Sequence, residues 1–322
     1  MKSTKSPSWT RRLLGLVPVA VPPHVFEVDS GLLRYASFPR NNGDWQAADL
    51  LESELPAEAF QVGPLGGPLR TPEVLDRVLG DILERAGAPV AQASLVLPDR
   101  WLRLLFVELE EAPGETREEI FRFKLRKLVP FRVEDLRVSG TELPALPAQP
   151  GKLRALVAFA VEQLLDELEE AFAARGVRLG QIASRSLYLT SYLAEDHQDA
   201  VVTLLEADGY SLVFVSEGAP VLVRYRTFPL AVGDIGRTEH VARDLRLIRS
   251  YLAEHLPERK FSEGLVCGPP DTATAWVELL ESGFDLRARV LGANDADLPS
   301  APSSVGWHEL LPLFAAATRE VA

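Results

Sequence analysis

A chain of 322 residues has room for two or three compact lobes, and its 47% hydrophobic and 25% charged content is ordinary for a soluble globular protein. The formal net charge of −12 disfavours nucleic acid as a partner, because phosphate contacts need a basic surface. A single cysteine, Cys267, excludes an intramolecular disulfide, and five scattered histidines offer no metal-ligand spacing.

Residues 1–22 read as a flexible basic lead. Lys2, Lys5, Arg11 and Arg12 precede a short apolar run broken by Pro18, too short to span a bilayer and without a small-residue cleavage site. Such a lead suits an anionic membrane surface. Strands are predicted over 24–28 and 32–38, joined by Asp29-Ser30-Gly31. A Pro- and Gly-rich loop (62–68) leads to a helix over 71–86, with Thr71 as N-cap and Pro72 at the first helical position. A strand over 93–97 follows.

The next block is the most distinctive. Leu97-Pro98-Asp99-Arg100 precedes a strand over 102–109, then a helix over about 115–128 stopped by Pro130. Ile120, Phe121, Leu125 and Leu128 form its apolar stripe; Arg117, Arg122, Lys124, Arg126 and Lys127 surround it. A solvated basic rim accounts for the amphipathicity, though not for a basic cluster in so acidic a chain.

A strand over 135–143, a Pro-rich junction (144–150), a continuous apolar strand over 153–161 and a helix over 162–175 ending at Gly176 come next. A strand over 178–183 and a helix over 185–195 close the first half. The second half reads as strands over 201–206, 212–217 and 221–228, then a long helix over 238–256. It ends with strand 264–267, helix 273–281, strand 286–291 and helix 307–320. Strands alternating with helices in both halves predict two related α/β lobes. The half-openings echo each other: Phe26-Glu27-Val28-Asp29-Ser30-Gly31 and Leu205-Glu206-Ala207-Asp208-Gly209-Tyr210 both run from an apolar strand through Glu-x-Asp into a turn. His197, His240, His255 and His308 lack acid–base partners at recognisable spacing and are expected at the surface; Cys267 reads as a small buried residue.

The block Leu97-Pro98-Asp99-Arg100 … Glu118-Glu119 … Leu125-Arg126-Lys127-Leu128-Val129-Pro130-Phe131 resembles the inserted subdomain of PilM-type proteins, actin-like components of type IV pilus machines related in fold to FtsA. The likeness continues through 156–176, 201–228, 264–268 and the tail Gly306-Trp307 … Leu310-Leu311-Pro312. It implies an actin-like, internally duplicated α/β fold. Its first lobe would span 23–197, with an inserted α+β subdomain at about 98–150, and its second lobe 198–322.

The resemblance also implies an ATP cleft whose phosphates and magnesium ion meet an Asp-x-Gly turn from each lobe. Here those turns are Glu27-Val28-Asp29 and Glu206-Ala207-Asp208. Glu27 and Glu206 replace the family's Asp; Asp29 and Asp208 replace its Gly, the second through a shorter loop. A carboxylate beside a phosphate costs about 1–4 kcal/mol per close charge pair, and its Cβ blocks close backbone approach. Arg34 stands where Lys is usual, and the adenosine-side turn reads Cys267-Gly268-Pro269-Pro270, with fewer amide donors. No cofactor and no ATP hydrolysis are therefore expected, although Mg²⁺ and ATP remain the alternative through Glu27, Asp29, Arg34, Glu206, Asp208 and Gly268.

The function the resemblance implies is a cytoplasmic scaffold at the inner-membrane face of a pilus platform. It would dock the N-terminal peptide of a PilN-like bitopic protein and touch other platform components. Arg122, Arg126, Lys127 and Phe131 are the candidate partner-binding residues, and an extended peptide would add along the 102–109 strand. A weakly active actin-like ATPase of a pilus or type II secretion system is the competing reading. The lack of a membrane span before Ala322 is taken to favour the pilus side.

Overall fold

The computed structural model describes residues 21–318 apart from 42–43, 46–48, 62, 64, 110–115, 144–152, 195, 229–233, 293–294 and 296–305. The N-terminal lead and the Pro-rich junction lie outside the described residues.

Two five-stranded sheets organise the chain. The first takes β1 (His24–Asp29), β2 (Leu32–Ser37), β5 (Asp49–Glu54), β6 (Gln92–Leu97) and β10 (Arg178–Ser184), in the order β10-β6-β1-β2-β5. The second takes β11 (Ala200–Glu206), β12 (Gly209–Ser216), β13 (Ala219–Thr227), β14 (Glu263–Cys267) and β15 (Arg287–Val290), in the order β13-β12-β11-β14-β15. Read from opposite ends these are one topology. An antiparallel three-strand meander is followed by two parallel strands. The predicted duplication is thus present strand for strand. It supplies β5, a strand not predicted because Asp49-Leu50-Leu51-Glu52-Ser53-Glu54 shows no clean alternation; it is the counterpart of β13. The remaining two-stranded ribbon is β3 (Arg40–Asn41) with β4 (Asp44–Trp45).

The helices repeat as well: α1 (Pro72–Ala86) and α5 (Asp234–His255) follow the meanders, α3 (Glu162–Ala174) and α6 (Pro270–Phe284) cross between the parallel strands, and α4 (Arg185–Leu193) and α7 (Trp307–Thr318) follow the last strands. Side chains alternate across each sheet with period two. Phe26, Val28, Leu95 and Leu97 face α1 and α3, whereas Val25, Ala36, Val96 and Ala183 face Leu310, Leu313 and Phe314 of α7. In the second sheet, Val201, Leu205, Leu212 and Val266 face α5 and α6, while Ala200, Val202, Val213 and Leu265 face Leu189 and Leu193 of α4. The closing helices are exchanged in their main contacts: each packs chiefly on the sheet of the other half, although Tyr188 of α4 joins the α7 cluster and Leu311 of α7 joins the α4 cluster.

Between β6 and α3 lies the insertion: β7 (Arg103–Leu109), α2 (Arg117–Leu125), β8 (Leu136–Leu143) and β9 (Leu153–Val161), with sheet order β7-β9-β8. The small sheet takes in β9, so it runs past the expected limit near residue 150. Thr116 and Glu119 form a capping box at the start of α2. The helix stops at Leu125, a turn earlier than predicted. Leu128 therefore leaves the apolar stripe and is 55% exposed, while Ile120, Phe121 and Leu125 pack under the helix as expected. Other ends differ modestly: α5 and α6 begin earlier than predicted, and Thr71 precedes α1 without a side-chain cap hydrogen bond.

Candidate functional site

A cavity of about 610 Å³ opens between the lobes, bounded by the β1–β2 and β11–β12 hairpins, α5, α6 and the start of α7. Phe228, Trp276 and Leu279 line its apolar part; Glu27, Asp29, Glu206, Arg34 and Arg185 line its charged part. The sequence-selected cleft residues therefore converge, apart from Asp208 and Gly268, which do not line the cavity. Gly268 is required by packing, since a Cβ there would lie 2.7 Å from the Leu205 side chain.

Arg34 is fully engaged. Its guanidinium donates to Glu27 at 2.6 Å, Glu52 at 2.5 Å and Glu309 at 3.0 Å. Arg185 forms an ion pair with the other oxygen of Glu27 at 3.0 Å. Glu27 is thus a buried carboxylate between two guanidinium groups, an arrangement that compensates its desolvation.

Two residues quoted only as motif letters prove central. Asp99, 2% exposed, accepts from the backbone N–H of Ser186 at 3.2 Å and its hydroxyl at 3.0 Å, and from the Ser211 hydroxyl. The backbone N–H of Asp99 donates to Glu206 at 3.3 Å. Arg100 reaches both hairpin turns: it donates to Asp29, to the Ser30 hydroxyl at 2.9 Å and to Asp208 at 3.0 Å. Burial pushes the Glu206 carboxyl up to about 8, and the neighbouring Asp99 charge adds to the shift. Burial likewise raises the Cys267 thiol to about 12 and lowers the pKa of His308. His308 lines the cleft rather than the outer surface, and His197 is held against Glu263, so neither has the surface role expected of it.

Where a nucleoside triphosphate and its magnesium ion would have to approach, the two turns present carboxylates, a guanidinium and a satisfied amide. The amide of Ser30 donates to the Asp29 side chain at 2.5 Å, so it is already satisfied. Asp29 and Asp208 present carboxylates, and the Arg100 guanidinium occupies the space between them. Gly209 has its own structural demand, since a Cβ there would lie 2.3 Å from the Arg226 carbonyl oxygen. Among the described residues, no group of three or more His, Cys, Asp or Glu side chains converges as a metal site.

A second feature is a groove of about 540 Å³ with one wall in the insertion and the other in the second lobe. Edge strand β7 contributes Leu105, Phe106, Val107 and Glu108; edge strand β13 contributes Val221 to Arg224; α5 forms the floor. Leu153, Leu247 and Tyr251, which are 38%, 56% and 45% exposed, all line it. The 102–109 strand was legible as a strand, and it lies at a sheet edge; the facing wall, supplied by β13, carried no signal of its own.

The basic cluster is elsewhere. Arg122 donates to Glu118 at 2.9 Å and to the Val133 carbonyl at 2.8 Å, Arg126 to Glu134 at 2.7 Å, and Lys127 lies 4.7 Å from the Phe123 ring centre. Phe131 packs half-buried against the core of the insertion. None of these four candidate partner residues lines the groove. The acidic neighbours Glu118, Glu134 and Glu142 largely balance the cluster.

No protein-family model and no curated sequence matches the chain. Among solved structures it is similar to the PilM–PilN type IV pilus biogenesis complex, at 17% identity and a TM-score of 0.68 over 92% of this chain and 97% of that one. It is also similar to a Bacteroides thetaiotaomicron protein of actin-like ATPase fold (14% identity, TM-score 0.55, 94% and 97% covered). A third likeness is to the cytoplasmic domain of EpsL, an inner-membrane component of the Vibrio cholerae type II secretion system (12% identity, TM-score 0.50, 92% and 95% covered). These likenesses establish the actin-like fold.

Proposed function

We propose that the chain is a docking scaffold of a type IV pilus inner-membrane platform, working at its cytoplasmic face. In this reading it holds the cytoplasmic N-terminal peptide of a PilN-like bitopic protein in the groove between β7 and β13. The observation that carries the reading is the groove itself. Two strand edges face each other across an apolar floor, and three of the five exposed large hydrophobic side chains of the described residues lie along it. Unpaired edges supply main-chain hydrogen bonds to an extended peptide, and alternate side chains fill apolar pockets. The complex of a structurally similar protein with PilN supports the class of partner. No helix of the described residues is long and apolar enough to cross a membrane.

ATP hydrolysis has no part in this reading, because carboxylates and a guanidinium fill the two hairpin turns. A nucleotide-binding protein is the second reading, favoured by the apolar part of the cleft around Trp276 and Phe228. The deciding experiment is a titration of the chain with a fluorescent peptide carrying the N-terminal residues of the PilN-like protein of the same organism. Saturable binding lost in Leu247→Asp supports docking in the groove. Equal binding by that variant removes the groove from the reading.

A further inference from the structure

The two walls of the groove belong to different halves of the molecule: β7 to the insertion, β13 and α5 to the second lobe. The separation of the walls therefore follows the angle between the lobes. Asp99 and Arg100 sit where that angle is set, between the end of β6 and the start of β7. Arg100 joins the Asp29 turn of the first sheet to Asp208 of the second. Asp99 joins the end of β6 to Ser211 on β12 and to Ser186 on α4. The next strand is tied in directly. Arg103, the first residue of β7, donates to the Arg100 carbonyl at 3.2 Å, and its guanidinium lies 3.9 Å from the ring centre of Tyr225 on β13.

We propose that Asp99-Arg100 is a pin, built into the chain, that holds the two lobes at one angle and thereby fixes the width of the groove between β7 and β13. The Arg100 side chain is only 18% exposed, and it satisfies carboxylates from both halves at once. Half-buried charge-assisted bonds of this kind are stronger than exposed pairs and define geometry as well as energy. Removing the guanidinium leaves Asp29 and Asp208 facing each other without their shared counter-charge. Their repulsion then drives the two hairpins apart. Because β7 begins two residues after the turn holding Arg100, the groove wall moves with it.

The groove's importance rests on the docking role proposed above, whereas the pin is tested without any peptide, so the two fail separately. Amide hydrogen exchange is measured on the full chain at β7, β13 and the two hairpin turns. Arg100→Ala is expected to exchange about tenfold faster at both turns and along Arg103–Glu108 and Val221–Arg224, as cooperative opening requires. The double change Arg100→Asp with Asp208→Arg puts the guanidinium on the other lobe, between Asp29 and the new carboxylate, and is expected to restore slow exchange. Arg100→Lys, which reaches one carboxylate rather than two, is expected to lie between them and guards against a simple folding failure of the alanine variant. Faster exchange confined to residues 98–101, with both groove walls at the wild-type rate, overturns the proposal. So does a charge-swapped chain that exchanges no slower than Arg100→Ala.

Discussion

The backbone N–H of Asp99 donates to one carboxylate oxygen of Glu206 at 3.3 Å, while the second oxygen is buried with no partner among the described residues. Two acids, Asp99 and Glu206, therefore adjoin at the lobe junction, with the charges of Arg185 and Arg100 partly offsetting the upward shift of Glu206. Glu206 keeps its proton in the fold up to about pH 8, whereas in the unfolded chain it releases it near the ordinary carboxylate value. Over that window the folded state binds the extra proton, so stability falls as pH rises, by at most about 1.4 kcal/mol per pH unit. Glu206→Gln, which cannot ionise, is expected to flatten this slope. Urea midpoints from pH 5 to 9 check it: the variant should match the wild type at pH 5 and exceed it at pH 9. Parallel curves would disprove the assignment.

Leu247→Asp and Tyr251→Asp place a charge on the groove floor at positions already exposed. Each is expected to leave thermal stability nearly unchanged, within about 0.5 kcal/mol for a surface substitution. Each is expected to weaken binding of the PilN-like peptide by tenfold or more, about 1.4 kcal/mol. Fluorescence anisotropy with calorimetry separates the two effects.

Arg126 and Lys127, selected from the sequence as partner contacts, lie outside the groove and are exposed. Arg126→Ala with Lys127→Ala is expected to change stability by less than about 1 kcal/mol and to leave peptide affinity at the wild-type value. A large loss of affinity in the same titration would move the docking site to α2.

Magnesium-ATP is expected to show no saturable micromolar binding by calorimetry, because Arg100 and its two carboxylates fill the turns. Saturable binding abolished by Glu206→Ala would establish the nucleotide-binding reading instead.

Phe314 packs its ring against Phe38, Trp45 and Tyr192 at centroid distances of 5.3–5.6 Å. Phe314→Ala is expected to cost about 3–5 kcal/mol, since it empties the site where the last helix of the chain packs among three rings of the first half. Chemical denaturation should show one transition at lower denaturant, not two.

Much of this architecture was legible because its determinants are local. Apolar periodicity located the core strands and helices, and the Glu-x-Asp echo identified two hairpins that the structure places on equivalent strands. What stayed hidden depended on distant partners. β5 forms because β2 offers it an edge, not because Asp49–Glu54 carries a strand pattern. Leu128 satisfies the helical spacing, yet the helix ends before reaching it. Asp99 and Arg100 looked like turn residues, and only the arrival of Ser211 and Asp208 more than 100 residues later gives their charges a task. The groove followed the same logic, with one wall readable and the other supplied by topology.

The exchange of closing helices has a consequence for biosynthesis. When the nascent chain has emerged as far as Leu193, α1 and α3 can already cover one face of the first sheet, but the opposite face, with Val25, Phe38 and Val96, has only Tyr188 and its neighbours on α4 and still lacks Leu310, Leu313 and Phe314 of α7. That apolar surface stays incompletely covered while the whole second lobe is translated, an interval of seconds at ordinary elongation rates. A truncation that removes α7 should accumulate as aggregate rather than as a folded first lobe.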